Sequence, residues 1–354
     1  MSKADDRLEE RILLPGRQAR LLGHEQAREE ILHAFATGRA HHGWLISGAP
    51  GVGKATLAWH VARLLLALPG ERIAEAPEQG IGPEHPVFQQ MLAGAHPDFF
   101  LLRRQRDRSK RLRAGIVVED ARALGHFLSL KSASGGRRVV MIDVADEMNA
   151  SAANAILKLL EEPPPNTFFF LLAHAPGRLL PTIRSRCLHV PLSPLPEEEV
   201  MEALRCGAAE LLEDVDDALL RAAVAMSGGS AGRALDLAGS KALELWRETE
   251  QALAAREARR LADVVERVST ALATADARAD LALFLQLADA WARQCMRQAA
   301  ENGDAARAAR WAEVLSGVQE RRRMQEAVNL NARQLLAGVL GALATASREA
   351  ATVA

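Results

Sequence analysis

A glycine-rich loop at residues 48–54 constrains the fold of this chain more than any other feature. The segment Gly48-Ala-Pro-Gly-Val-Gly-Lys54 follows an apolar run, Trp44 to Ser47, and precedes a helical pattern. In that context the glycines let backbone N–H groups surround a phosphate, and the lysine brings a positive charge to it. A glycine-rich turn with a surface lysine is the weaker alternative. The residues predicted to form this nucleotide loop are Gly48, Gly51, Gly53 and Lys54.

The residue that follows the lysine departs from the strict motif. That motif places Ser or Thr after the lysine, where the hydroxyl holds Mg²⁺. This chain has Ala55, which offers no oxygen. Thr56 does not replace it, because one helical step turns a side chain by about 100°. We therefore expect the magnesium site to be incomplete.

A second acidic element is incomplete in the same way. The run Val139 to Asp143 is an apolar strand pattern that ends in an aspartate placed to hold the metal. The next residue, where hydrolysing P-loop ATPases typically have a glutamate that activates water, is Val144. Asp146 and Glu147 follow, and we interpret them as loop or cap carboxylates rather than displaced bases. Two separate losses predict a subunit that does not hydrolyse ATP.

Apolar runs alternate with helical patterns in the first part of the chain, which is typical of an α/β layer architecture with a parallel sheet. The predicted strands are Trp44–Ser47, Phe99–Leu102, Val139–Asp143 and Thr167–Ala173. The predicted helices are Ala55–Leu68, Glu119–Leu130 and Ser151–Glu162. The segment Pro69 to His96, rich in Pro, Gly and Glu, is predicted to be an irregular surface excursion.

From Glu197 onward the strand signal disappears and the sequence predicts helices alone. Ser193 to Pro196 indicates a boundary, and Ser227 to Ser230 interrupts the helical pattern once. We predict an α/β domain at 1–192, a small helical domain at 193–242 and a longer helical domain at 243–354.

Composition limits the partners and the compartment. Lys and Arg total 44 against 45 Asp and Glu, so any contact with nucleic acid must be local or provided by partners. Cys187, Cys206 and Cys295 lie far apart, which argues against structural zinc and a disulfide scaffold. No apolar run reaches the roughly 20 residues of a bilayer span, and the charged opening does not have the pattern of a signal peptide. We expect the reducing cytoplasm and no membrane.

Three segments together resemble the bacterial clamp-loader subunits of the AAA+ family: Asn149 to Pro164, Phe168 to Leu172, and Thr182 to Cys187. The resemblance covers about the first 235 residues. It implies a P-loop AAA+ α/β domain, a helical lid domain and a C-terminal helical collar through which five subunits associate. Further matches are Leu22-Gly23-His24, His41-His42-Gly43, His96-Pro97-Asp98 and Ile116 to Arg122.

The resemblance gives one arginine a role outside its own subunit. Ser185-Arg186-Cys187 matches the clamp-loader SRC motif, whose arginine acts in trans as a finger on the ATP of the adjacent subunit. A guanidinium suits this role because it carries a permanent, planar charge. The alternatives are a surface or ion-paired arginine, or a finger at Arg184 instead.

Several residues depart from active members of the family. Their lid carries an arginine at the position of Gly232, and Arg233 is displaced by one residue. His174 stands where they have a polar sensor, and it could equally be an ordinary residue at a strand end. The excursion Pro69 to His96 has no cysteine, so no zinc is predicted. Lys158, Glu161 and the run Arg321 to Arg323 are interpreted as solvated charges, with contact to a partner or to nucleic acid as the alternative.

With its ATP site broken, the chain resembles the stator branch of the family rather than the gamma/tau branch that hydrolyses ATP. The implied partners are gamma/tau and delta subunits, and, through the complex, the sliding clamp and primer–template DNA. The subunit would be a non-catalytic part of a DNA polymerase holoenzyme. No cofactor is certain, and binding of ATP or ADP is expected to be weak or absent. The competing functions are an autonomous motor ATPase and, less well supported, a kinase or transport ATPase.

Overall fold

The computed structural model describes residues 15–68, 70–106, 112–213, 215–255, 257–274, 277–328 and 331–349. It divides into two compact units. The first contains the described residues up to Glu210 together with Ser227–Arg233, which we call the lid segment. The second contains Leu211–Met226 and the described residues from Ala234 onward. The three predicted domains, divided after residues 192 and 242, remain a prediction.

Five parallel strands form the sheet of the first unit, in the order β2-β3-β4-β1-β5. The four predicted strands are confirmed to within one residue at each end, and with them the predicted α/β class with a parallel sheet. The strands are β1 (Gly43–Ser47), β2 (Phe99–Arg103), β3 (Arg138–Asp143), β4 (Thr167–Ala173) and β5 (Leu188–Pro191).

Helices cover both faces of this sheet, as expected for parallel strands whose residues are mainly apolar. Trp44 and Ile46 pack on one face with the helices at 25–36 and 54–67. Leu45 packs on the other face with the helices at 118–129 and 150–161. The three predicted helices are confirmed, each beginning and ending one residue earlier than expected. The helices are α1 (Glu25–Ala36), α2 (Lys54–Ala67), α3 (Pro86–Leu92), α4 (Val118–Ser129), α5 (Ala150–Glu161), α6 (Pro181–Arg184) and α7 (Glu197–Gly207).

The predicted irregular excursion from Pro69 to His96 was wrong in part. It contains a 3₁₀ helix at Gly70–Glu75 and the helix α3. Phe88 and Met91 of α3 are buried, so this short helix belongs to the core. The high content of Pro, Gly and Glu concealed it, although a proline suits the first turn of a helix.

Two consecutive arginines at the start of β3 cap helices on opposite faces of the sheet. Arg137 Nη1 donates to the carbonyls of Leu65 and Leu68 at the end of α2, at 3.3 and 3.0 Å. Arg138 Nη1 donates to the carbonyls of Leu128 and Leu130 at the end of α4, at 3.1 and 2.8 Å. The last carbonyls of a helix lack partners within it, and a cation there is favourable. The pair therefore fixes both helices to strand β3.

From Glu197 onward the described residues form helices joined by short turns, with no strand among them, as predicted, and the break at Ser227 to Ser230 is confirmed. Trp246, Trp291 and Trp311 pack edge to face in the second unit, with successive ring centroids 6.1 and 5.2 Å apart. Among the described residues, no helix is both long and apolar enough to span a membrane. The side chains of Arg322 and Arg323 lie outside the described residues. The remaining helices are α8 (Asp217–Ser227), α9 (Ala231–Ala238), α10 (Lys241–Ala255), α11 (Ala258–Leu272), α12 (Arg278–Glu301), α13 (Ala305–Val328) and α14 (Ala332–Glu349).

Candidate functional site

The phosphate loop connects β1 to α2, as predicted, and its lysine is turned onto the loop itself. Lys54 Nζ donates to the carbonyls of Gly48 and Ala49, both at 2.8 Å. Only 5% of Lys54 is exposed. Burial lowers the pKa of Lys54 to about 8, while Asp143 and Asp146 act in the opposite direction. The charge that would meet a phosphate is thus engaged by main-chain oxygens of the same loop.

The lid segment packs directly on the phosphate loop. Ser230 Oγ donates to the carbonyl of Pro50 at 2.9 Å, and the N–H of Gly232 donates to the carbonyl of Gly51 at 3.0 Å. A Cβ atom on Gly232 would lie 2.8 Å from Gly51 Cα, closer than packed carbons approach. These two hydrogen bonds join residues about 180 positions apart, and reasoning from the sequence missed both.

Gly232 has a clear structural role in this contact. Active relatives are expected to carry an arginine at this position, and no side chain fits there while the lid segment touches Gly51. Ser230 Oγ also accepts from the N–H of Arg233 at 3.1 Å, which caps the first turn of α9. The sequence shows only that Gly232 departs from the family motif. The contact of Gly232 with the phosphate loop can be seen only in the folded structure.

His24 is a further residue at the loop that the sequence did not assign to the site. Its Nε2 lies 2.7 Å from the carbonyl of Val52, and its backbone has a φ of 62° immediately before α1. A Cβ atom on Gly53 would lie 3.1 Å from the His24 ring. In the segment Leu22-Gly23-His24, which matches the family, His24 is therefore the residue that packs against the phosphate loop.

Asp143 ends β3 beside the loop, as predicted, and is paired in register with Arg103 of β2. Burial raises the pKa of Asp143, and the positive charges of Lys54, Arg103 and Arg104 act against that rise. The Asp143 carboxylate is therefore surrounded by positively charged side chains of its own chain.

The carboxylates after β3 are engaged in the fold, as expected for loop or cap residues. Asp146 accepts from the N–H groups of His174 and Ala175, at 2.9 and 3.0 Å, and so holds the end of β4. Glu147 forms an ion pair of 2.7 Å with Arg104 Nε. Burial raises the pKa of Glu147, and Arg104 opposes this. Both carboxylates are therefore engaged by groups of their own chain.

His174 lies at the end of β4, where the sequence placed it. Burial lowers the pKa of His174, and the nearby charge of Lys54 lowers it further. Its Nδ1 is buried and has no hydrogen-bond partner. These surroundings agree with both interpretations of His174, as a sensor and as an ordinary residue at a strand end.

These residues do not fit a magnesium–ATP complex. Ala55 and Val144 lack the oxygens that would hold the metal and activate water. Lys54 is bonded to the loop, and Gly51 is covered by Gly232. Among the described residues, no group of three His, Cys, Asp or Glu side chains could hold a metal ion.

Arg186 lies at the opposite end of the sheet from the phosphate loop. The loop follows Ser47 at the end of β1, whereas the carbonyl of Arg186 lies 2.8 Å from the point where Gly43, at the start of β1, would carry a Cβ. Five residues of strand span about 16 Å. The structure therefore does not bring Arg186 together with Gly48, Gly51, Gly53 and Lys54, and its side chain cannot serve the loop of its own chain.

The Arg186 side chain is held between two helix ends. Its Nη2 lies 2.9 Å from Glu161 Oε1 at the end of α5, and its Nη1 donates to the carbonyl of Thr182 in α6 at 3.0 Å. About 36% of the Arg186 side chain is exposed. Arg186 is thus ion-paired, as the alternative reading allowed, and Glu161 is a paired charge rather than the simply solvated one expected.

The residues beside Arg186 fix its backbone. Cys187 packs against the core cluster that includes the buried α5 side chains, and burial raises the pKa of its thiol to about 12, so it acts as a packing residue. A Cβ atom on Gly43 would lie 3.1 Å from Cys187 Sγ. The glycine of His41-His42-Gly43 therefore allows the SRC segment to approach β1.

Comparisons with known proteins agree with the resemblance seen in the sequence. Residues 23–196 match the family model described as "DNA polymerase III, delta subunit". The chain is 38% identical to DNA polymerase III subunit delta' of Pseudomonas aeruginosa, over 57% of this chain and 58% of that protein. It is 35% identical to the Escherichia coli subunit of the same name, over 59% and 58%. The chain thus spans less than two thirds of these relatives.

Among solved structures, the chain is similar to a DNA polymerase III gamma subunit-related protein from Thermotoga maritima, with 19% identity and a TM-score of 0.43, covering 90% of this chain and all of that one.

Proposed function

We propose that the chain is a delta prime subunit of a DNA polymerase III clamp loader and acts as the stator of that complex. The match of residues 23–196 to the family model and the similarity to the two delta' relatives support this proposal. In this role it helps to load the sliding clamp onto primer–template DNA in the cytoplasm. It associates with gamma/tau and delta subunits, and the helices of the second unit provide the collar that holds the subunits together. Helix faces rich in Ala and Leu suit such packing.

The subunit has no ATPase activity of its own. Hydrolysis needs a metal ligand after the lysine and a group that orients water, and Ala55 and Val144 provide neither. The lid segment closes on Gly51, and Lys54 is bonded to the loop carbonyls, which supports weak or absent nucleotide binding. An autonomous motor of the gamma/tau type would need these residues to be available.

Arg186 serves the ATP site of a neighbouring gamma/tau subunit. The observation that carries this proposal is its position, about a full strand length from its own phosphate loop and partly exposed. An arginine finger stabilises the charge that develops on the transferred phosphoryl group, an effect of about 10³ to 10⁵ in rate in studied systems. The permanent charge of Arg186 remains useful although the local site is inactive.

Two measurements test the assembly and the inactive site. On gel filtration the purified chain mixed with gamma/tau and delta subunits should elute as one complex containing all of them. The chain alone should show no magnesium-dependent ATP hydrolysis, and Lys54→Ala should leave the turnover of the complex unchanged. Failure to co-elute would contradict the clamp-loader role. Turnover by the isolated chain that Lys54→Ala abolishes would instead establish a motor subunit.

A further inference from the structure

Arg186 is held on two sides by elements of its own subunit. Glu161 Oε1 lies 2.9 Å from Nη2, and the carbonyl of Thr182 accepts from Nη1 at 3.0 Å. A guanidinium has five N–H donors in a fixed plane, and these contacts use two of them. The side chain is therefore fixed in direction while the guanidinium keeps further donors.

The contact with Glu161 contributes little to the stability of the fold. About 36% of the Arg186 side chain and 42% of the Glu161 side chain are exposed. Ion pairs with this exposure stabilise proteins only weakly. The ion pair matters more for the direction of the Arg186 side chain. A long side chain must give up rotamer freedom to reach a fixed target, and a side chain that is already held in place has less freedom to lose.

Both members of the pair have fixed backbones. Glu161 is the last residue of α5, a helix capped by the Asn149 side chain and anchored by buried Ile156 and Leu160. The backbone of Arg186 lies against Gly43 at the start of β1. Because both positions are tied to the same sheet and its core, the carboxylate can hold the guanidinium in one direction.

We propose that Glu161 is the positioning residue of Arg186, and that it aims the guanidinium at the phosphates of the neighbouring subunit. This inference rests on the proposed function of Arg186. Glu161 does not itself touch the nucleotide. Loss of its carboxylate leaves Arg186 charged but free to turn away, so catalysis falls while the fold is retained.

The test uses the reconstituted complex and its ATP turnover in the presence of clamp and primed DNA. Glu161→Ala should lower kcat by about two- to fivefold. This is the rate ratio that corresponds to the interaction free energy of an exposed ion pair. Glu161→Gln should recover most of this loss, because its amide oxygen still accepts a hydrogen bond. Glu162→Ala, which removes the same charge one residue later, is the matched control and should have the wild-type rate.

A double-mutant cycle separates positioning from a structural effect. In the Arg186→Ala background, Glu161→Ala should have no further effect on kcat, and all variants should melt at the wild-type temperature. An equal loss in both backgrounds, an unchanged rate or an increased rate for Glu161→Ala would overturn the inference while Arg186→Ala still lowers turnover. If Arg186→Ala itself has no effect, the proposed function fails and this inference fails with it.

Discussion

The backbone N–H of Gly232 donates a hydrogen bond to the carbonyl of Gly51 at 3.0 Å and so joins the lid segment to the phosphate loop. Both partners are main chain, and a Cβ atom on Gly232 would lie 2.8 Å from Gly51 Cα. A side chain at either position therefore requires the backbone to move. This closed contact, together with Ala55 and Val144, is the basis for our proposal that the ATP site is inactive.

Gly232→Ala should destabilise the protein, although alanine is the better helix former. We expect the free energy of unfolding to fall by about 1–3 kcal/mol because of the clash with Gly51. Urea denaturation followed by circular dichroism measures the change. The control is Gly125→Ala in α4, where a Cβ would meet nothing within 4 Å. That variant should gain up to about 1 kcal/mol, and a similar gain for both variants would show that the lid segment does not press on Gly51.

The stability that Lys54 contributes should depend on pH. Its pKa of about 8 in the folded protein lies below the ordinary 10.5. Between these values the unfolded chain binds more protons, so the contribution of Lys54 rises with pH. Relative to Lys54→Met, the wild type should gain about 1–3 kcal/mol in free energy of unfolding from about pH 7 to pH 10. A difference that does not vary over this range contradicts the buried, carbonyl-bonded lysine.

Asp98→Asn should destabilise the first unit at neutral pH. Asp98 is buried and accepts from the N–H groups of Ala133 and Ser134, both at 3.1 Å, and from Ser134 Oγ at 2.7 Å. Burial opposes ionisation, but hydrogen bonds from Ser134 and its neighbours outweigh it, and the pKa of Asp98 lies below its ordinary value. The free energy of unfolding should fall by about 2–4 kcal/mol.

Because the pKa of Asp98 is lowered in the folded state, its stabilisation is complete above the ordinary carboxylate pKa. It disappears as the pH falls through the folded-state pKa. The difference between wild type and Asp98→Asn should therefore narrow below about pH 4. The exposed Glu84→Gln serves as the control and should change stability by less than about 0.5 kcal/mol. A gap that stays constant down to acid pH would mean that the Asp98 carboxylate is not what holds residues 133–134.

Local signals explain why most of the first unit could be predicted from the sequence. Apolar runs between helical patterns gave the four strands, and the glycine pattern located the loop before Lys54. The missing oxygens at Ala55 and Val144 can be read from single positions. Such features depend on neighbouring residues in the chain and not on how distant segments meet.

Contacts between distant segments account for what the sequence did not reveal. The hydrogen bond from Ser230 to Pro50 and the caps formed by Arg137 and Arg138 depend on where helices end in space. Glu161 has the pattern of a solvated helix residue, and only the fold places it beside Arg186. Helix α3 was missed because a short amphipathic signal was surrounded by residues that favour turns.

The most direct test of the central claim is the ATP turnover of the reconstituted complex with Arg186→Ala, compared with Arg184→Ala. Arg184 is exposed and lies two residues earlier, so it controls for charge in the same segment. We expect Arg186→Ala to assemble normally and to lower clamp-stimulated turnover severalfold, whereas Arg184→Ala keeps the wild-type rate. Normal turnover with Arg186→Ala in a fully assembled complex would contradict an arginine that acts on a neighbour's nucleotide.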